Sequence, residues 1–377
     1  MNKSKLSNPV RLIAFFLTSV ILICTFGFAV DGWQIKSDAT IGQIQSSPTS
    51  PAPDAEQNGG DTDGNNSTDD ELSEPEIIIP KYYNPITGLE CSEKISTKTH
   101  LAFVMNSDLP IYGLSSADLV CEIPTEEGTT RMCVFISDTD NLWKIGSITK
   151  TRGYISNVIS YFGGICISSG KDDTLSYNSC DISGRYIDLL SGNYQYTEFT
   201  SNVYTNKELL ENALQNSNVD NSSKPDISLP YIFNDVDEDE IIFDGQPATR
   251  ITITQSSSCV SELKFNRESG CYLFYKNGMV KTDAINNKGV EYKNCFVLFA
   301  DSITYDNATC SQMIMDTIGS GRGYYFTNGS YAEIFWTASI EDGMNFYSLG
   351  GEKLAVNRGT TYISFLKSSR IDKLFYE

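Results

Sequence analysis

Lys150 and Arg152 stand just ahead of Ile155, Val158, Ile159 and Phe162, whose spacing predicts a helix with one apolar face. Two cations at a helix start face the positive end of its dipole, which disfavours them by about a few tenths of a kcal/mol. An anion must therefore sit close by. One solution is a ligand phosphate or carboxylate, held by helix amides and the two side chains. The other is internal pairing, with Glu122, Glu126 or Glu127 of a neighbouring hairpin as partners and Arg131 joining the network. In the ligand reading Arg131, Lys150 and Arg152 make the contacts, while Glu122 and Glu127 orient the guanidinium groups. A catalytic alternative pairs Asp118 with Glu122 as acid and base on a phosphate-bearing or sugar polymer. Residues four apart share a face of a strand as well as of a helix, so that spacing alone does not establish a working pair.

The remaining chemical signals are weaker. Gly319, Gly321 and Gly323 have phosphate-loop spacing, but Tyr324-Tyr325-Phe326 reads as strand where a dinucleotide fingerprint must open a helix, so a bend or bulge is expected. Asp235, Asp237 and Asp239 begin like a calcium loop, yet Glu240 takes its glycine position and Gln246 that of its closing glutamate, which leaves a solvated acidic turn. His100 is the single histidine. It precedes the apolar run 101–105 and is expected at a half-buried strand edge. With one histidine and no C-x-x-C pair, neither a metal site nor a cofactor is expected. Nine of the ten cysteines follow Cys24, and Cys121 and Cys133 are candidates for a disulfide if residues 119–123 and 131–136 form a hairpin about Glu127.

Composition bounds the location. Lys3, Lys5 and Arg11 precede an uncharged apolar run over residues 12–30, long enough to span a bilayer. Residues 1–30 are read as a signal or membrane anchor, with the rest of the chain on the extracytoplasmic face. Three fates stay open: an uncleaved helix, a lipid on Cys24 after Leu22-Ile23, or cleavage after Ala29 with secretion. Residues 31–80 hold Lys36 against eleven acids among Ser, Thr, Pro, Asn and Gly, and are read as a disordered acidic linker. The net charge of −20 divides into +3 for the leader, −10 for the linker and −13 for residues 81–377. Nucleic acid is excluded as a partner, since its binding needs clustered cations. The partners expected are the membrane and an anionic envelope ligand or a protein.

The elements that must position these groups divide at the polar stretch 216–230. Residues 81–225 read as a mixed α/β domain in which strand, helix and strand succeed one another around residues 131–167; Thr205 and Glu208 form a capping box opening a second helix. Residues 226–377 read as mainly antiparallel β, with hairpin turns at Asp244-Gly245, Asn277-Gly278 and Asn328-Gly329. The fold class is α+β.

Several blocks carry a family resemblance. Asn84-Pro85-Ile86-Thr87-Gly88-Leu89, residues 113–122, Glu127-Gly128-Thr129-Thr130-Arg131, Gly146 to Arg152 and Ser201 to Thr205 resemble the first domain of the YerB-like proteins. Ser269 to Tyr272, Asn277-Gly278, Asp283, Asn294 and Gly319 to Gly329 are similar to the second. The resemblance spans most of residues 83–366. It implies a two-domain bacterial lipoprotein of unknown molecular function at a Gram-positive cell surface. Lys150 stands where the family has arginine, and Ser168-Ser169-Gly170 where relatives often carry a histidine, so any chemistry resting on that histidine is not expected here. The reading is a membrane-tethered, non-catalytic envelope module that binds a ligand or a protein; the alternative is an envelope enzyme.

Overall fold

The computed structural model describes residues 81–95, 100–171, 183–198, 202–217, 219, 228–306 and 311–377. The leader, Cys24 and the acidic linker lie outside the described residues, as does most of the Asn216 to Pro230 stretch. Among the described residues no helix is long and apolar enough to cross a membrane.

The labelled elements are, in chain order, β1 (Leu101–Asn106), β2 (Leu119–Pro124), β3 (Thr130–Ile136), β4 (Ile145–Ile148), α1 (Gly153–Tyr161), β5 (Ile165–Ser168), β6 (Asn202–Thr205) and α2 (Lys207–Asn216). There follow β7 (Arg250–Ser256), β8 (Cys259–Asn266), β9 (Cys271–Lys276), β10 (Asn294–Ala300), β11 (Ser302–Asp306) and β12 (Ser311–Met315). The last are β13 (Gly319–Thr327), β14 (Ser330–Ser339), β15 (Gly343–Ser348) and β16 (Thr361–Lys367). The chain is mainly β, with α1 and α2 as its α-helices among the described residues.

One large sheet runs β15-β14-β13-β10-β16-β2-β3-β1-β4-β6, with β5 beside β1. Its centre joins the two halves of the sequence, because β16 lies parallel to both β10 and β2. The middle strands are buried along almost their whole length and mostly apolar, as strands covered on both faces are. On one face Phe103, Val120, Val134, Val297 and Tyr362 pack with Ile251, Leu263 and Phe274 of a six-stranded sheet built around β7, β8 and β9. On the other, Val104, Cys121, Phe135, Phe296 and Phe365 pack with Ile155, Val158, Ile159 and Phe162 at α1. A sheet rather than a row of helices supplies the first cover. That is why the α/β character expected for residues 81–225 gives way to a mainly β architecture.

Local expectations fare unevenly. The hairpin about Glu127 forms, with Cys121 opposite Cys133. The two are nevertheless free, buried thiols, so the candidate disulfide does not form. They pack as small apolar groups among Ala102, Val104 and Ile155, and burial pushes the Cys121 thiol well up, away from the thiolate. The strand, helix and strand order appears as β4, α1 and β5, with Gly163 in the left-handed region ending the helix. The cap of α2 moves by one residue. Asn206 accepts from the Leu209 amide at 2.9 Å, while Thr205 closes β6 and donates to the Tyr194 carbonyl at 2.9 Å.

Asn277-Gly278 and Asn328-Gly329 make tight hairpins with positive φ at both positions. Asp244-Gly245 instead turns a segment without strands on either side, since the loop's Phe243 amide binds Ser330 Oγ at 3.0 Å. His100 is fully buried rather than half-exposed, because its carbonyl receives the Ile165 amide at 2.8 Å as β5 joins β1.

Gly319, Gly321 and Gly323 lie in unbroken register along β13, with no bulge. Close approach is the reason Gly321 and Gly323 are glycines, whereas Gly319 has a positive φ of 109° in open space. A Cβ on Gly321 would fall 2.5 Å from the Phe299 carbonyl oxygen and 2.5 Å from Trp336 Nε1, two atoms that hydrogen bond to each other at 3.0 Å. Gly321→Ala should therefore cost about 1–3 kcal/mol through overpacking. A denaturant midpoint unchanged from wild type would show that the indole can step aside.

Candidate functional site

The turn between β2 and β3, the start of α1 and the inner edge of β12 enclose a cleft of about 430 Å³. Its lining is polar: Asn106, Thr125, Glu126, Arg131, Arg152 and Gln312 are prominent among the walls. Arg152 is the cap residue of α1, with extended backbone (φ −119°, ψ 156°) and no side-chain acceptor to offer the helix amides. Its side chain turns instead to Glu126. Nε donates to Oε1 at 3.2 Å and a terminal nitrogen to Oε2 at 3.1 Å, a two-pronged pair whose members are only 11% and 19% exposed. Burial alone would push the Glu126 carboxyl up, but the Arg152 hydrogen bonds and the charges of Arg152 and Arg131 hold it below the usual range. Arg131 is fixed from the other side, donating to the Lys150 carbonyl.

Sequence reasoning thus brought Arg131 and Arg152 to one place, and it named Glu126 among three possible partners. The other candidates separate. Lys150 contributes its carbonyl, with its side chain exposed outside the lining. The Glu127 side chain lies outside the described part of the structure. Asp118 sits before β2, accepting from Asn84 Nδ2 at 2.8 Å and the Ser137 amide at 2.7 Å; burial raises its carboxyl despite those bonds. Glu122, fully buried, points into the core between the two sheets. The proposed acid and base therefore occupy different environments, neither of them on the cleft.

Glu122 belongs to a network that sequence reasoning missed. Its carboxylate accepts from Thr130 Oγ1 at 2.6 Å and Ser261 Oγ at 2.7 Å, and from the Tyr362 hydroxyl and the Lys276 ammonium. Lys276 Nζ also reaches Thr130 Oγ1 at 3.1 Å, Cys259 Sγ at 3.1 Å and Ser261 Oγ at 3.2 Å. Burial would raise the carboxyl, but the Lys276 charge and these hydrogen bonds outweigh it and hold Glu122 down at about 2. Lys276 is raised in turn, burial being overcome by Glu122. One signal was available. In β9 the inward positions are Tyr272, Phe274 and Lys276, so strict alternation puts a lysine at a core position, where it needs a buried acid. Thr130 touches both regions, lining the cleft and donating to Glu122.

The motif residues that carry the family resemblance bind one another. Asn84 Oδ1 accepts from the Ile86 amide at 2.8 Å, making a local turn, while its Nδ2 donates to Asp118. Asp283, fully buried, accepts from the amides of Gly113 (3.1 Å), Ser115 (2.8 Å) and Ile285 (2.8 Å) and from Ser115 Oγ (2.6 Å). These contacts fasten segments distant in sequence and serve the fold.

Fold and cleft define a mainly β, two-sheet protein with a polar recess lined by the guanidinium groups of Arg131 and Arg152 and the carboxylates of Asp108 and Glu126. Residues 86–220 match the model of the N-terminal domain of a protein family of unknown function, DUF3048, and residues 250–363 match that of its C-terminal domain. The chain belongs to this YerB-like DUF3048 family. The crystal structure of the YerB protein from Bacillus subtilis is similar to it, with a TM-score of 0.65 at 20% identity over 78% of this chain and 99% of that one. A search of curated proteins finds no match.

Proposed function

We propose that this protein is a membrane-tethered, extracytoplasmic module that binds an anionic group in the cleft at the start of α1, without catalysis. The observation that carries the reading is the pair of guanidinium groups held on one polar recess in a chain of net charge −20. Glu126 orients Arg152, and the Lys150 carbonyl orients Arg131, so an incoming phosphate or carboxylate meets donors already in place. The amides of the first turn of α1 add positive potential from the same side. Binding rather than turnover is supported by the separation of Asp118 from Glu122 and by Glu126, which is held ionised and unsuited to donating a proton. Delivery to the envelope rests on the apolar run 12–30 and the acidic residues beyond it.

Titration of the full-length protein with inorganic phosphate and with dodecanoate, followed by calorimetry, tests the reading. Wild type should saturate with at least one of them, and Arg152→Gln should weaken that binding by tenfold or more, as expected for loss of a charge-assisted contact of about 1.5–3 kcal/mol. Failure of wild type to saturate with either probe, or equal binding by Arg152→Gln, would overturn it.

A further inference from the structure

The ten residues lining the polar cleft all carry polar or charged side chains, with no aliphatic or aromatic wall. Two are cations, Arg131 and Arg152, and two are acids, Asp108 and Glu126. A bare anion would gain from the first pair and be repelled by the second. Glu126 is committed, since both of its oxygens accept from Arg152. The Asp108 carboxylate, by contrast, has no hydrogen-bond partner among the described residues.

The strands place further groups beside it. Asn106 ends β1 directly opposite Arg131 of β3, and the Thr149 amide, one residue past β4, donates to the Val104 carbonyl at 2.8 Å. Opposed residues share a face, as do Val104 and Asn106 two apart, so Arg131, Asn106 and Thr149 present their side chains on one face of three adjacent strands. Asn106 Oδ1 accepts from the Asp108 amide at 3.0 Å, which holds these two together at the rim. Among the described residues Asn106 Nδ2 and Thr149 Oγ1 also have no partner. The threonines of the β2–β3 turn differ: the Thr125 and Thr129 hydroxyls bond each other at 2.8 Å, and Thr130 donates to Glu122.

We infer that the cleft takes a polyol phosphate, an ester whose carbon chain carries neighbouring hydroxyl groups, with the phosphate at Arg131 and Arg152 and the hydroxyls at Asn106, Asp108 and Thr149. This rests on the anion-binding reading above and names the ligand class. The two guanidinium groups come from a strand and a helix start, and the first-turn amides of α1 form a third side. Three directions of approach suit a tetrahedral phosphate better than a planar carboxylate. A hydroxyl both donates and accepts, so it serves a carboxylate, an amide NH₂ and another hydroxyl alike. Asp108 then binds the ligand instead of repelling it. The volume of about 430 Å³ leaves room beyond a phosphate, and the wholly polar wall offers nothing to an alkyl chain.

Calorimetric titration of the full-length protein compares propyl phosphate with glycerol 3-phosphate, which differ by two hydroxyl groups on the same chain. Glycerol 3-phosphate should bind about tenfold more tightly. Asp108→Ala, a change at an exposed position, should bring that ratio close to one, with propyl phosphate binding by the same sample showing that the cleft is intact. Thr149→Val keeps the side-chain shape and should lower the ratio as well. If propyl phosphate binds in an Arg152-dependent way but the hydroxyls add nothing in wild type, if both variants keep the full ratio, or if dodecanoate alone binds, the polyol inference fails and the anion site stands. If neither ester, inorganic phosphate nor dodecanoate binds, both fail.

Discussion

Lys276→Met should destabilise the protein by roughly 3–5 kcal/mol, because it leaves the Glu122 carboxylate buried without its cation. For a folded region of this size that corresponds to a drop in Tm on the order of 10 °C. Thermal and denaturant unfolding of the full-length protein measure it, and a loss below about 1 kcal/mol would mean that the pair contributes little. Glu122→Gln with Lys276→Met should cost less than the sum of the single changes, since each variant alone strands the other partner.

The pH dependence carries the sharper signature. Glu122 titrates at about 2 in the folded protein against an ordinary 4.5, so between these values the unfolded chain holds more protons. Its contribution, about 3 kcal/mol, is complete above pH 4.5 or so and is lost as the pH falls toward 2. In Lys276→Met burial, the largest influence on this carboxyl, is opposed only by the hydrogen bonds from Thr130, Ser261 and Tyr362, and the Glu122 carboxyl moves up instead. The sign of its pH dependence then reverses: from neutral pH downward that residue should make the variant more stable.

Asp283→Ala should produce the other large loss, on the order of 3–5 kcal/mol. The carboxylate accepts three backbone amides and a hydroxyl, and alanine leaves those donors, the buried Gly113 amide among them, without this acceptor. Asp283→Asn keeps one oxygen and should recover part of the stability. Denaturant unfolding ranks the three proteins, and equal midpoints for alanine and wild type would refute the assignment. The two losses share a cause. Both residues bond across the halves of the chain, Lys276 to β2 and Asp283 to the segment before it.

Much of the fold was legible locally. Alternation and turn residues marked β2 and β3 around Glu127 and two of the three Gly-containing hairpins, because such signals depend on neighbours in sequence. The Asp244-Gly245 hairpin failed for the opposite reason. A turn needs strands to join, and the segment around it is taken up by contacts with Ser330 and Asn357. The capping box failed by one residue, since Thr205 and Asn206 are both good caps and the extent of β6 decided between them.

Of the candidate site, Arg131, Arg152 and Glu126 were visible because a helix start and the adjacent hairpin turn lie close along the chain. Gln312 was not paired with them, nor Lys276 with Glu122. They arrive from strands more than a hundred residues away, and no local pattern encodes that meeting.

By itself the sequence determined the charge of the chain, its apolar leader and acidic stretch, its family likeness, and the strands and turns whose signals are short-ranged. Tertiary structure alone decided which acid meets which cation. Glu122, Glu126 and Asp118 are chemically alike and only a few residues apart, yet one is locked to Lys276 in the core, one orients Arg152 on the cleft and one fastens Asn84. Which face of a strand is buried, and what covers it, fixes the fate of a carboxylate, and that cover is supplied by distant chain.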